Sequence, residues 1–292
     1  MCDQDAFADM TEYQLKTGGL SRRQFGALTL GAGLVSLLPP VADAAQVTES
    51  EVEIKTPDGT CDAYFVHPVS GAHPGVLIWP DIFGLRPAFR QMGRRLAESG
   101  YSVLVVNPFY RQKKAPTAPE HPDFNDPPTR SALMALMGAL TPQGEFTDAR
   151  AFVAYLDSQP AVNKRKKIGT MGYCMGGPIT MRTAAAVPDR VGAGASFHGG
   201  GLVTDAPDSP HLLVPKMKAR YLFAIAENDD QKQPEAKGVL RAAFAQAKLP
   251  AEIEVYAGTL HGWCPPDSQV YNPAAAEKAW SRLLVLFRVA LA

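Results

Sequence analysis

Three side chains in this 292-residue sequence have the types and chain order of a nucleophile, an orienting acid and a base. Cys174 stands in GTMGYCMGG (169–177), Asp229 in AIAENDDQ and His261 in GTLHGW. A thiol between Gly172 and Gly176, with an apolar strand pattern before it and a helical pattern after it, fits a nucleophile elbow. The tight turn needs both glycines, because any β-carbon there would clash as strand and helix come together. It lifts the sulfur above the sheet edge and aims the helix start at the substrate, making the Met175 N–H an expected oxyanion donor. His261 would take or share the thiol proton, and Asp229 would hold its ring in the useful tautomer. Glu227 and Asp230 are rivals to Asp229, since strand ends are not fixed within two residues. His198 also follows an apolar run and is the second choice of base. The plainer reading of Cys174 is a small buried residue in a glycine-rich turn.

These residues need a frame. Two alternating runs, 51–56 and 61–68, flank Pro57-Asp58-Gly59 and read as an edge hairpin. The run 75–80 is continuously apolar, as in a strand covered on both faces, 102–108 reads as a second buried strand, and 167–173 as the next strand. Further strands are expected at 191–200, 220–229 and 251–258. Helical spacing covers 86–99, with Gly100 as its C-cap, then 130–140, 145–158, the stretch after Cys174 to about 187, 235–247 and 273–291. Alternating strands and helices predict an α/β fold, a mostly parallel sheet with helices on both faces. Ligands bind such sheets at the carboxyl ends of the strands. The Pro- and His-containing segment 111–128 is a candidate rim or lid. Nucleophile, acid and histidine follow one another as in the α/β-hydrolase fold.

Composition bounds the rest. The chain is 46% hydrophobic and 20% charged, and 29 Lys plus Arg balance 29 Asp plus Glu. That balance points to neither nucleic acid nor an anionic membrane surface. Neither H-E-x-x-H nor a close His/Cys/Asp cluster implies a metal. Residues 1–44 read as a twin-arginine export signal: Arg22-Arg23, a weakly hydrophobic run, then Ala42-Asp43-Ala44. The run is too short and glycine-rich for a stable membrane span of about 20 residues. Cleavage after Ala44 would leave a single domain, 45–292, folded before it reaches the periplasm. It would keep Cys61, Cys174 and Cys264, an odd number in an oxidising compartment. Cys61 and Cys264 are candidates to pair, leaving Cys174 as the thiol with a chemical reason to stay reduced.

The elbow GYCMGG, the segment PDIFGL (80–85), the acid in AENDD and the HGW histidine together resemble the dienelactone hydrolase family, over roughly residues 50–290. The resemblance implies a small monomeric α/β hydrolase that works without a cofactor on a lactone or ester. It makes Cys174 the nucleophile, Asp229 the acid and His261 the base, and it adds the Ile82 N–H to that of Met175 in the oxyanion hole. It also implies that Asp81, where the best-known members carry a glutamate, contacts the resting cysteine and modulates it. Family members that take dienelactone hold its carboxylate with two arginines. Arg130 is compatible with one, whereas Pro265 stands at the position of the second. A general carboxylesterase or thioesterase and a non-catalytic exported binding protein are the competing readings. A thiol redox role is disfavoured because C-x-x-C is absent.

Overall fold

The computed structural model describes residues 38–119 and 124–292. Arg22-Arg23 and most of the expected export signal lie outside the described residues, as does His121. Eight strands form one sheet in the order β1-β2-β4-β3-β5-β6-β7-β8. They are β1 (Val47–Thr56), β2 (Gly59–Pro68), β3 (Gly75–Trp79), β4 (Ser102–Val106), β5 (Ile168–Tyr173), β6 (Val191–Phe197), β7 (Arg220–Ala226) and β8 (Ala251–Tyr256). β1 and β2 form the expected antiparallel hairpin, β2 pairs antiparallel with β4, and all later pairings are parallel.

The helices are α1 (Pro87–Glu98), α2 (Pro127–Gly138), α3 (Pro142–Ser158), α4 (Gly176–Ala186), α5 (Glu227–Lys232), α6 (Ala236–Gln246) and α7 (Pro273–Ala290). Every residue of β3, β4 and β5 is buried, as the unbroken apolar run of β3 predicts for that strand. Alternate residues serve two cores. Val76 and Ile78 face one layer with Phe89 and Met92 of α1 and Trp280 and Phe287 of α7. Leu77 and Trp79 face the other with Phe152 of α3, Ile179 of α4 and Phe244 of α6. This is the expected α/β-hydrolase arrangement.

Two expectations fail locally. The run 220–229 stops being a strand at Ala226, and Glu227 opens the short helix α5. A 3₁₀ helix, Pro210–Lys216, was not read from the sequence; Pro215 inside it disguises the helical pattern. Nor do Cys61 and Cys264 pair. Both are free and buried, and they lie in the cores on opposite faces of the sheet. Burial pushes both thiols up, so neither is a reactive thiolate at neutral pH.

Candidate active site

The strand order explains where the site lies. From β3 the chain runs to β4 on one side, and β5 lies on the other. The loops leaving β3 and β5 therefore diverge at a topological switch point, where a crevice opens. Cys174 occupies the first residue after β5, with φ of 53°, a left-handed conformation that side-chain-bearing residues rarely adopt. The turn tolerates no bulk around it. A β-carbon on Gly172 would stand 2.1 Å from the Gly176 carbonyl oxygen, and one on Gly176 would stand 2.4 Å from that of Trp79. The Cys174 N–H donates to the Phe197 carbonyl at 3.1 Å, and the Gly177 N–H to the Cys174 carbonyl at 3.0 Å. The elbow is thereby tied to both β6 and α4. Contrary to the expectation of a reduced thiol, Cys174 is disulfide-bonded in the structure.

Ile82 and Met175 pack with Cys174 in a third apolar cluster, together with Phe109, Phe124 and Leu133. Segment 111–128 contributes Ala118 and Phe124 to that cluster, so it does border the site. Among the described residues neither the Ile82 nor the Met175 N–H donates to a protein acceptor. Two unengaged donors beside a nucleophile suit a developing oxyanion.

At the far side of the crevice His261 Nδ1 meets Asp229, at 2.8 Å from Oδ2 and 3.0 Å from Oδ1. A carboxylate only accepts, so Nδ1 carries the proton. The rivals have other partners. Glu227 accepts from the Gly258 N–H at 2.6 Å, and Asp230 pairs with Lys237. Asn228, which sequence reasoning missed, accepts the His261 N–H at 2.9 Å. The first three residues of α5 thus each hold the histidine loop. That pattern needs the helix and loop side by side, and the sequence carries no sign of it.

His198, at the end of β6, bridges the halves of the site. Its ring lies 5.9 Å from that of Tyr173 and 5.2 Å from that of His261, edge to face in the latter case. It is 1% exposed, and among the described residues neither ring nitrogen has a hydrogen-bond partner. Burial, with the neighbouring His261, pushes its pKa well below that of an ordinary histidine, so the ring is neutral. Asp229 contacts the ring of His261 rather than that of His198.

Asp81 has protein partners of its own. Its carboxylate is engaged by Arg86, at 2.6 and 3.0 Å, and accepts the Phe83 N–H at 3.0 Å. Arg86 also binds Asp267 through two bonds and lies over the Phe89 ring. Burial would lower the guanidinium's pKa, but the two carboxylates outweigh it and hold it up. The aspartate therefore clamps the loop after β3 to the loop after β8 through Arg86, and both of its oxygens accept from Arg86. Arg130 is half-buried in the first turn of α2, one turn before Leu133, and does not line the cavity beside Cys174. Pro265 is buried.

That cavity, of about 190 Å³, is lined by Met137, Leu140, Glu145, Cys174, Met175 and Pro178, with Gly200 and Gly201 at its edge. Among the described residues no group of three or more His, Cys, Asp or Glu could hold a metal ion, and no helix is long and apolar enough to cross a membrane.

The sequence matches the dienelactone hydrolase family over residues 61–291. A carboxymethylenebutenolidase from Rhodococcus opacus is 27% identical over 238 residues, covering 80% of this chain and 88% of its own. The crystal structure of a dienelactone hydrolase from Anabaena variabilis superposes with a TM-score of 0.61 at 17% identity, over 85% of this chain and all of that one. A dienelactone hydrolase-like promiscuous phosphotriesterase from metagenomic libraries gives 0.69 at 21%, over 84% and 99%.

Proposed function

Since the chain belongs to the dienelactone hydrolase family and is a hydrolase, we propose that it cleaves a small ester or lactone through a cysteine acyl-enzyme. The observation that carries this reading is the elbow: a cysteine held at φ 53° between two sterically obligatory glycines, with two unengaged N–H groups packed beside it. In the reduced enzyme the Cys174 thiol gives its proton to His261 Nε2, the thiolate attacks the carbonyl carbon, and a C–S bond forms as the C=O π bond breaks. The Ile82 and Met175 N–H groups receive the oxyanion. As the intermediate collapses, the C–O bond breaks and His261 Nε2 gives its proton to the leaving alkoxide. Water then attacks the thioester, losing a proton to His261, and the thiolate departs. Asp229 keeps the imidazole in the tautomer that both transfers need. No step calls on a cofactor.

Arg130 is the cation proposed to meet a substrate carboxylate at the α2 side. Pro265 offers neither charge nor donor, which favours a general carboxylesterase as the second reading over strict dienelactone specificity. The precursor is proposed to leave by the twin-arginine route, with the mature monomer in the periplasm. The reading is tested by hydrolysis of p-nitrophenyl acetate under reducing conditions. Wild type should turn over, Cys174→Ala should match the buffer blank, and His261→Ala should lose at least 100-fold in kcat/KM. Full activity in Cys174→Ala would sink the proposal.

A further inference from the structure

The cavity beside Cys174 has a charged wall that the reaction above does not use. Glu145 lies in the first turn of α3, whose N-cap Thr141 accepts the Gly144 N–H at 3.1 Å. Arg182 lies four residues after Pro178 on α4, so it sits on the same helix face one turn deeper. Arg182 Nη1 is 2.9 Å from Glu145 Oε2, and the two side chains are 12% and 10% exposed. The contact joins two charges, and among the described residues Glu145 Oε2 and Arg182 Nε have no aligned hydrogen-bond partner. The other lining side chains, Met137, Leu140, Met175 and Pro178, are apolar.

We infer that this cavity is the subsite for the acyl arm of the substrate, and that it selects an uncharged, mainly apolar arm ending in a hydroxyl. The inference rests on the esterase reading. The apolar lining takes the chain, and Glu145 accepts the terminal hydroxyl. A carboxylate-ended arm meets Glu145 first and is repelled, while an ammonium-ended arm adds a second cation to Arg182 in a buried space. Arg182 is the counter-charge that lets Glu145 stand there ionised. Burial pushes that carboxyl up to about 7, against the pull of Arg182, so selection is tested at pH 8, where Glu145 is charged.

The test uses three p-nitrophenyl esters of equal length: hexanoate, 6-hydroxyhexanoate and the adipate monoester. In wild type, kcat/KM for the carboxylate-ended arm should be at least tenfold below that for hexanoate, and the hydroxyl-ended arm should be preferred over both. Glu145→Gln leaves Arg182 without its carboxylate, so the adipate-to-hexanoate ratio should rise at least tenfold. Because that variant buries an unbalanced cation and can fail to fold, Glu145→Gln/Arg182→Met is measured beside it. In the double variant both charge selection and hydroxyl preference should vanish. An adipate-to-hexanoate ratio near one in wild type, or one unchanged within threefold in the variants, overturns the subsite. The p-nitrophenyl acetate assay has no arm to select, so loss of that activity in wild type counts against the esterase reading instead.

Discussion

Replacing His198 by phenylalanine should change how the protein's stability depends on pH, by an amount that follows from the burial of this one ring. His198 is 1% exposed and neutral, boxed by Tyr173, His261 and Trp263. An unfolded histidine titrates near 6.5. Below that pH the unfolded chain binds a proton that the native ring refuses, so stability falls as pH falls. The slope is about 1.4 kcal/mol per pH unit, continuing down to the depressed native pKa. Between pH 8 and pH 5 the integrated loss is about 2 kcal/mol, or a Tm change of roughly 4–8 °C for a chain of this size. Phenylalanine fills the same space and leaves no buried ring nitrogens. Both residues carry a β-carbon at φ 40°, so the backbone strain there is common to the two proteins. Glu145, with its raised carboxyl, has the opposite slope in the acid range, but it is present in both and cancels in the difference. Chemical denaturation of wild type and His198→Phe at pH 8, 6.5 and 5 reads the effect directly. Stability curves that run parallel down to pH 5 would mean that His198 takes a proton in the native state, and the account of its burial would be wrong.

Arg86→Ala should destabilise the protein by about 3–5 kcal/mol, because Asp81 would remain buried without its partner; urea midpoints check this, and a loss under 1 kcal/mol refutes the clamp. Replacing Arg22 and Arg23 with lysine should leave full-length precursor inside the cell, and normal processing to an Ala45 N-terminus would remove the twin-arginine assignment. Arg130→Ala should lower the ratio of kcat/KM for an anionic lactone to that for its methyl ester by about tenfold, the size of one charged hydrogen bond. An unchanged ratio would leave Arg130 as a helix-start residue.

Much of the frame was legible because its strands are buried on both faces and therefore read as unbroken apolar runs. β3 and β4 are the plainest cases. The elbow was legible for a steric reason, since only glycine fits at 172 and 176, and the sequence displays that requirement directly. The orienting acid was not separable from its neighbours. Glu227, Asp229 and Asp230 are adjacent in the chain, and their partners, Gly258, His261 and Lys237, are set by how α5 meets the loop after β8 and the start of α6. Asp81 misled for a similar reason. Its actual partner is five residues on, but what orients that partner is Asp267, 181 residues from Arg86. The Glu145–Arg182 pair left no trace either, because neither helix carries a pattern that names the other.

The parts of the site are divided along the chain by a segment that contributes none of them. Ile82, Cys174 and Met175 all precede the exposed stretch Thr204–Asp208 between β6 and β7, and Asp229 and His261 both follow it. A break there would separate Ile82, Cys174 and Met175 from Asp229 and His261. Neither fragment alone would own a complete set, and the β6–β7 pairing is what brings the sets together. The fold is thus laid out as a two-piece reporter. On the proposed esterase reading, the halves fused to two interacting proteins would release colour from a nitrophenyl ester only when their carriers meet and the parallel sheet closes across the cut.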